Sequence, residues 1–145
     1  MTRPGVRALG LDLGSKRVGV AIGDRTGTIA SPLQVLQRSG SIKRDHQAIA
    51  QIVIDEEADI VVVGLPLNMN GSSGRAAQAA IDEAAGLATV VGVPVVTFDE
   101  RRTTVTADQA MMEFKMRAEA RRRIVDKIAA AVMLQNWLDA GGPAS

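Results

Sequence analysis

The stretch that most restricts the possible folds of this chain is residues 8–21, which read ALGLDLGSKRVGVA. An apolar run reaches a Gly-Ser-Lys turn and resumes after it, and glycines recur at positions where they would weaken a helix. Two strands joined by a short turn therefore fit the pattern better than a helix does. Because side chains alternate along a strand, Ala8, Gly10 and Asp12 share one face of the first strand, and the intervening leucines share the other.

Asp12 is thus a single carboxylate among small neighbours, on a strand that we expect to be buried. A buried carboxylate costs free energy unless it is hydrogen-bonded, paired or bound to a metal ion. In one interpretation, Asp12 caps the turn by accepting hydrogen bonds from the amides of Gly14 and Ser15. In the other, further carboxylates lie beside Asp12 and bind a cation with it. The second interpretation requires the rest of the chain to supply those carboxylates.

The composition restricts the chemistry of any such site. The chain has 145 residues, 46% of them hydrophobic and 23% charged, which is typical of one soluble globular domain. We expect that domain to span residues 1–145, with flexible ends at 1–5 and 141–145. There is no cysteine and only one histidine, His46, which we place on a solvated helix surface. Zinc held by cysteines is excluded, so a metal site must use oxygen ligands, which favours Mg²⁺ or Mn²⁺.

Neither membrane insertion nor export is indicated. The longest uncharged run, residues 84–98, contains glycines and a proline. It is also shorter than the roughly 20 residues that a helix needs to span a bilayer. The first five residues contain no apolar signal core. We therefore expect a cytoplasmic protein with no membrane partner.

Apolar periodicity predicts an α/β fold. A strand at 29–36 follows the first two, and Pro32 within it indicates an edge position. Strands then alternate with helices, which implies parallel crossovers and helices on both faces of a mixed five-stranded sheet. After the three antiparallel strands, the predicted elements are a helix at 42–56 with Ser41 as its N-cap, a strand at 60–65 covered on both faces, a helix at 75–91, a buried strand at 93–98, a helix ending near 114 and a last helix at 124–140.

Acidic side chains stand at the ends of two strands of this sheet. Asp12 lies near the end of the first, and Asp99 and Glu100 follow the last. Ligands of open α/β sheets bind at the carboxyl ends of the strands. Alternation groups Glu100 with Phe98 and Val96, and it puts Asp99 on the other face. The sequence alone leaves open which of the two acids faces Asp12.

Asp126 is the third candidate, one turn into the last helix. Its face continues through Ala130, Met133 and Trp137, and we expect that apolar face to pack on the sheet. Taken alone, an Asp in a first helical turn is explained by the helix dipole. Three carboxylates on separate elements at one sheet edge would repel one another without a cation. Two divalent ions about 3.5–4 Å apart, held by carboxylates, are the usual arrangement for displacement at phosphorus.

Four segments resemble the YqgF (RuvX-like) nuclease family of the ribonuclease H superfamily. They are GLDLGSKRVGVA at 10–21, GLPLNMNG at 64–71, FDERRTT at 98–104 and VDKIAA at 125–130. The resemblance implies a ribonuclease H-like fold, with Asp12, Glu100 and Asp126 as catalytic metal ligands, and so favours Glu100 over Asp99. Members of the family are described as nucleases that mature the 5′ end of pre-16S rRNA and as Holliday junction resolvases. The implied partner is structured RNA or branched DNA, and symmetric junction cleavage would require a homodimer.

Basic residues fit a nucleic-acid partner, although the net charge is only +1. Those near the acidic residues could hold a phosphate or pair with the acids. Those of the basic stretch at 115–127 could bind phosphates in a salt-dependent way, or they could belong to a solvated loop between helices. Trp137 is better explained as a core residue than as a base-stacking one. The candidate nucleic-acid-binding residues are Lys16, Arg17, Arg101, Arg121, Arg122, Arg123 and Lys127.

Two other classes of function remain open at this point. The Asp-Leu-Gly turn followed by a second strand also resembles the phosphate loop of sugar kinases and actin-like ATPases, which close two such domains on a nucleotide. A nucleic-acid-binding module that keeps the fold without cleaving is the other alternative. ATP-dependent turnover would indicate the first class, and binding without cleavage would indicate the second.

Overall fold

The computed structural model describes residues 6–65, 74–99 and 118–142, with side chains from residue 127 onward in the last range. The described elements, in chain order, are β1 (Ala8–Leu13), β2 (Arg17–Gly23), β3 (Ala30–Gln37), α1 (Ile42–Asp55), β4 (Ile60–Leu65), α2 (Arg75–Ala88), β5 (Val95–Asp99) and α3 (Ala118–Asp139). The helix predicted near 103–114 lies outside these ranges. None of the described helices is long and apolar enough to cross a membrane.

The five strands form one mixed sheet in the order β3-β2-β1-β4-β5. Strand β1 pairs antiparallel with β2 and parallel with β4, and β4 pairs parallel with β5. This confirms the predicted mixed topology. Strand β3 is an edge strand, as Pro32 predicted, and the pairing of β2 with β3 shifts register between Val20 and Ala21, next to the proline.

Helices cover both faces of the sheet, which confirms the predicted layers. On one face, Leu9 and Leu11 of β1 join a core formed with α1 and α2. On the other face, Ala8 joins a core that includes Leu134 and Trp137 of α3. Trp137 is buried there, as the core interpretation predicted. Alternation along β1 therefore places its side chains in two cores, and the first four residues of the strand are buried on both faces.

Some predicted boundaries and burial levels are wrong. Strand β4 is buried on both faces, but β5 is a half-buried edge strand among the described elements, not a buried one. Helix α2 ends at Ala88 and not at residue 91, because Thr89 turns its amide and hydroxyl back to the carbonyl of Gly86.

Helix α3 begins at Ala118, six residues before the predicted start. The sequence AEARRR at 118–123 consists of strong helix formers, so the helix continues through it. The alternative of a solvated loop at Arg121, Arg122 and Arg123 is therefore wrong for their backbone. At the other end of α3, Gly142 is buried, although we expected it within a flexible end.

Helix α1 starts as predicted, since the Ser41 side chain accepts a hydrogen bond from the Arg44 amide at 3.3 Å. Ile42, which the sequence placed on its apolar stripe, is 57% exposed and lines a cavity beside α2. His46 is not a surface residue. It is buried, and its Nε2 lies 2.9 Å from Oε2 of Glu83 on α2.

Acidic residues collect at the carboxyl end of α1, where the helix dipole disfavours them. Arg7 offsets part of this cost, because its guanidinium lies 3.1 Å from Glu56. The Arg7 amide also donates to the carboxylate of Asp59 at 2.9 Å, and the Asp59 amide donates to the carbonyl of Arg7 at 2.7 Å. These contacts attach the start of β1 to the loop that precedes β4.

Candidate active site at the carboxyl edge of the sheet

Three parallel strands end at one edge of the sheet, and Asp12 lies at that edge. Leu11 of β1 is level with Val63 of β4. Asp12 therefore lies one residue before the end of β1, beside the last residues of β4. Leu65 is level with Asp99 at the ends of β4 and β5. This is the edge at which open α/β sheets bind ligands.

The side chains of β1 and β5 divide between the two faces, and the division separates Asp99 from Asp12. Ala8 belongs to the core under α3, so Gly10 and Asp12 share the α3 face by alternation. On β5, Val96 and Phe98 pack against that same core, whereas Val95 packs against the opposite one. Asp99 therefore lies on the face opposite to Asp12. Of the two acids that the sequence left open, Asp99 is therefore not the one that shares a face with Asp12.

Gly10 sets the distance between α3 and β1. A Cβ placed on Gly10 would lie 2.9 Å from Cβ of Leu134 and 3.4 Å from the carbonyl oxygen of Ala130. Any side chain here would push the helix away from the sheet. The glycine thus brings α3 close to the strand that carries Asp12.

The turn after Asp12 also requires a glycine, and it uses one of the donors that a cap would need. A Cβ on Gly14 would lie 2.6 Å from the carbonyl oxygen of Arg17. The Gly14 amide donates to that carbonyl at 2.9 Å and to the carbonyl of Asp12 at 3.1 Å. Because this amide is bonded to backbone oxygens, it is not available to the Asp12 carboxylate, and the capping interpretation loses one of its two donors.

The other predicted site residues divide between described and undescribed parts of the chain. Lys16 is exposed in the turn, Arg17 is half-buried at the start of β2, and Lys127 is half-buried on α3. Glu100 and Arg101 lie outside the described residues, as do the side chains of Arg121, Arg122, Arg123 and Asp126. Within the ranges where side chains are described, no three acidic or histidine residues form a metal-binding group. Only Asp12 of the predicted trio belongs to those ranges.

A polar network that the sequence did not predict lies beside the turn at 14–16, on the sheet face covered by α1 and α2. Arg38 follows β3 directly, and its guanidinium pairs with both carboxylate oxygens of Glu83, at 2.6 and 2.9 Å. The same guanidinium lies 3.6 Å from Asp45. His46 contacts Glu83 as well, and Arg38, Asp45 and Glu83 line a cavity of about 410 Å³. The available sequence signal was Glu83 itself, an acid between Ala80 and Leu87 on the apolar stripe of α2.

The family model for RuvX, described as Holliday junction resolvase, matches residues 6–140.

The chain belongs to the RuvX family.

Relatives are similar over nearly the whole chain. A protein of Myxococcus xanthus (strain DK1622) is 42% identical over 138 residues, which cover 95% of this chain and 91% of the relative. One from Thermoanaerobacter pseudethanolicus (strain ATCC 33223 / 39E) is 41% identical over 135 residues, 92% of this chain and 96% of the relative. Both bear the provisional name of a pre-16S rRNA nuclease. These matches confirm the predicted family and its assignment as a nuclease family.

The solved structure of Thermus thermophilus RuvC in complex with a Holliday junction substrate is similar in fold. The TM-score is 0.57 at 17% identity, and the match covers 94% of this RuvX-family chain and 97% of RuvC. A second structure of the same protein gives a TM-score of 0.56 at 14% identity. At such low identity the similarity shows the fold alone, and it confirms the predicted ribonuclease H-like architecture.

The buried network gives this RuvX-family protein a defined response to acid. The hydrogen bond from the Ser39 amide lowers the pKa of Asp45. Burial raises the pKa of Glu83, but hydrogen bonds from Arg38 and His46 more than offset this, and the net pKa is lowered. Both carboxyls are thus more acidic in the folded state than in the unfolded state. The stability they contribute is present above their unfolded pKa values, roughly 3.9 and 4.3, and is lost as pH falls through the folded values.

We therefore expect the contribution of Asp45 and Glu83 to the melting temperature to be constant from neutral pH to about pH 5 and to fall below about pH 4. Glu83→Gln should melt at a lower temperature at pH 7, because it weakens the pairing of a buried guanidinium. The same variant should lose less on further acidification, since one of the two titrating carboxyls is gone. Thermal melts between pH 7 and pH 3 measure both effects. An equally steep acid loss in both proteins would contradict the role of Glu83.

Proposed function

We propose that this protein is a metal-dependent nuclease that hydrolyses phosphodiester bonds in the 5′-end processing of pre-16S rRNA. Asp12, Glu100 and Asp126 would hold Mg²⁺ or Mn²⁺, in a site that suits two ions. The observation that carries the proposal is the position of Asp12, on the α3 face at the carboxyl edge of the sheet. The names of the relatives support the substrate. Because the RuvX family model matches residues 6–140, we prefer the nuclease proposal to the kinase-like interpretation.

The packing of α3 supports the place of Asp126 in this site. A Cβ on Gly23, which packs beside Ala8 at the start of β1, would lie 3.8 Å from Cδ1 of Leu138. Gly10, two residues further along β1, faces Leu134 and Ala130. The helix therefore runs antiparallel to β1. One turn further toward its start, about 6 Å along the axis, the helix reaches position 126 as the strand reaches Asp12.

The alternation of β5 supports Glu100. In the sequence pattern, Glu100 alternates with Val96 and Phe98, the two residues of β5 that pack on the α3 face. Asp99 belongs to the other face. The acid that alternation groups with the α3 face is thus the one that the family resemblance favours.

Each group would have a distinct part in the reaction. Carboxylate oxygens are ligands that Mg²⁺ and Mn²⁺ prefer. Divalent ions held by Asp12, Glu100 and Asp126 would supply neutralisation of charge on the phosphate and activation of a water molecule. Lys16, exposed in the turn after Asp12, and Arg17 would contact the phosphate backbone, and so would Arg101. The basic start of α3, with Arg121, Arg122, Arg123 and Lys127, would extend this phosphate-binding surface and make binding salt-dependent.

Holliday junction cleavage is the second candidate. The description of the family favours it. This activity would require a homodimer, because the two cuts are related by symmetry. A nucleic-acid-binding module without catalysis is the third possibility that the experiment must separate.

The test compares cleavage of single-stranded RNA carrying the pre-16S 5′ extension, single-stranded DNA and a four-way junction under titration with Mg²⁺ and Mn²⁺. We expect cleavage of RNA carrying the pre-16S 5′ extension, with no activity in chelator. Preferential cleavage of the junction would favour the second candidate and overturn the assigned substrate. Binding of all three substrates without cleavage at any metal concentration would reject the nuclease proposal.

A further inference from the structure

Arg38 holds the turn that follows Asp12 at two points. Its Nε donates to the carbonyl oxygen of Gly14 at 3.0 Å, and its backbone amide donates to the carbonyl oxygen of Lys16 at 2.9 Å. Both contacts join the residue that follows β3 to the three-residue turn, and the guanidinium extends toward Glu83 of α2 and Asp45 of α1, on the sheet face opposite to α3. The first depends on the arginine side chain, whereas the second is a backbone contact that a substitution leaves in place.

The Arg38 side chain is held in place by its partners on α1 and α2. Its guanidinium is bidentate on Glu83, and Glu83 is also bonded to His46 of α1. The Arg38 and Glu83 side chains are 13% and 12% exposed, so the pair is largely withdrawn from water. A planar guanidinium paired at both oxygens of a carboxylate has little freedom to rotate. Helices α1 and α2 thus set the orientation of Arg38, and Arg38 in turn holds the turn.

We propose that Arg38 is a positioning residue for the candidate active site. It fixes the carbonyl of Gly14, and with it the backbone two residues after Asp12 and the turn that carries Lys16. Its proposed effect is transmitted through the turn and not by contact with the substrate. The inference rests on the proposed function for its catalytic consequence, while its structural part, the ordering of the turn, stands independently of that function. A small displacement of a catalytic group lowers turnover strongly, because reacting atoms must be aligned.

The first variant is Arg38→Lys, which keeps the charge but has one nitrogen in place of the planar fork, so it cannot keep the bidentate pair with Glu83 together with the Nε contact to Gly14. The matched control is Arg7→Lys, because Arg7 is also a partly buried arginine paired with a glutamate, at the opposite end of β1. We expect Arg38→Lys to lower kcat about tenfold with little change in KM. Arg7→Lys should lower the melting temperature by a smaller amount, because its single contact with Glu56 is more exposed, and it should leave kcat unchanged. Equal kcat in the two variants would overturn the positioning role.

A second measurement does not depend on activity. The Gly14 amide is bonded to the carbonyl of Arg17 within the turn, so its hydrogen exchange reports how well the turn is ordered. We expect exchange at Gly14 to be about tenfold faster in Arg38→Lys and unchanged in Arg7→Lys. Unchanged exchange at Gly14 in Arg38→Lys would overturn the proposal. If the unsubstituted protein cleaves nothing, the proposed function fails, and the exchange experiment still decides whether Arg38 orders the turn.

Glu83→Gln serves as the second variant in case Arg38→Lys does not fold. It keeps the shape of the carboxylate partner and weakens its hold on the guanidinium. The same two changes, lower kcat and faster exchange at Gly14, should occur to a smaller extent. A Glu83→Gln protein with unchanged kcat and unchanged exchange would contradict the inference that Arg38 acts through this pair.

Discussion

Asp12→Asn should reduce metal-dependent cleavage to background, while the metal-free protein melts at the same temperature or higher. The substitution preserves shape but removes a charged oxygen ligand from a site that must hold divalent ions. If acidic neighbours surround Asp12, removing one charge relieves their repulsion in the absence of metal. Turnover in Mg²⁺ and melting in chelator, measured on the same preparation, test the two effects together.

Asp99→Asn is the matched control for this experiment. It makes the same chemical change at the same edge of the sheet, but on the opposite face. We expect it to retain cleavage. If Asp12 were a structural cap, Asp12→Asn would instead lose about 1 kcal/mol of stability, the contribution of one hydrogen bond, and remain active. A destabilised and active Asp12→Asn protein would therefore reject the catalytic assignment.

Gly10→Ala should destabilise the protein, because Gly10 lies at the close contact between β1 and α3. The new Cβ would lie 2.9 Å from Cβ of Leu134 and 3.4 Å from the Ala130 carbonyl, and neither atom is the far end of a flexible side chain. Inserting a methyl group into such a packed contact costs about 1–3 kcal/mol. Because the helix must move away from β1, cleavage should fall as well, in proportion to how far α3 separates from Asp12.

Gly86→Ala should change the stability of the protein in the opposite direction, and it serves as the control for Gly10→Ala. A Cβ on Gly86 would meet only the His46 ring, at 3.7 Å, which is an ordinary contact. Alanine in the interior of α2 should therefore stabilise the protein by up to about 1 kcal/mol. Chemical denaturation of both variants gives the comparison. Equal stability of Gly10→Ala and Gly86→Ala would show that Gly10 does not control the approach of α3.

The sheet could be predicted from the sequence because its information is local. Alternation in residues 8–13, an apolar run at 60–65 and Pro32 within the third strand each depend on neighbours in the chain, and all three predictions agree with the structure. The edge position of β5 could not be predicted in this way. Its residues have the same β-branched character as β4, and the difference arises only from the order of the strands.

The candidate site was predictable up to the point where tertiary packing enters. Alternation pairs each acid with a face, but whether Asp99 or Glu100 shares the face of Asp12 depends on which side α3 covers. The network around Arg38 could not be predicted for the same reason, because it forms only when separate elements pack together. His46 lies among charged neighbours in the sequence, but it is buried beside α2, where it contacts Glu83, 37 residues away in the chain.

The proline in β3 has a consequence for self-association. An exposed edge strand offers free amides and carbonyls to which another chain can add a strand. Pro32 has no amide hydrogen, is itself exposed, and lies where the pairing of β2 with β3 shifts register. A regular ladder of hydrogen bonds cannot extend across that point. The edge at β3 is therefore a poor template for aggregation by sheet extension.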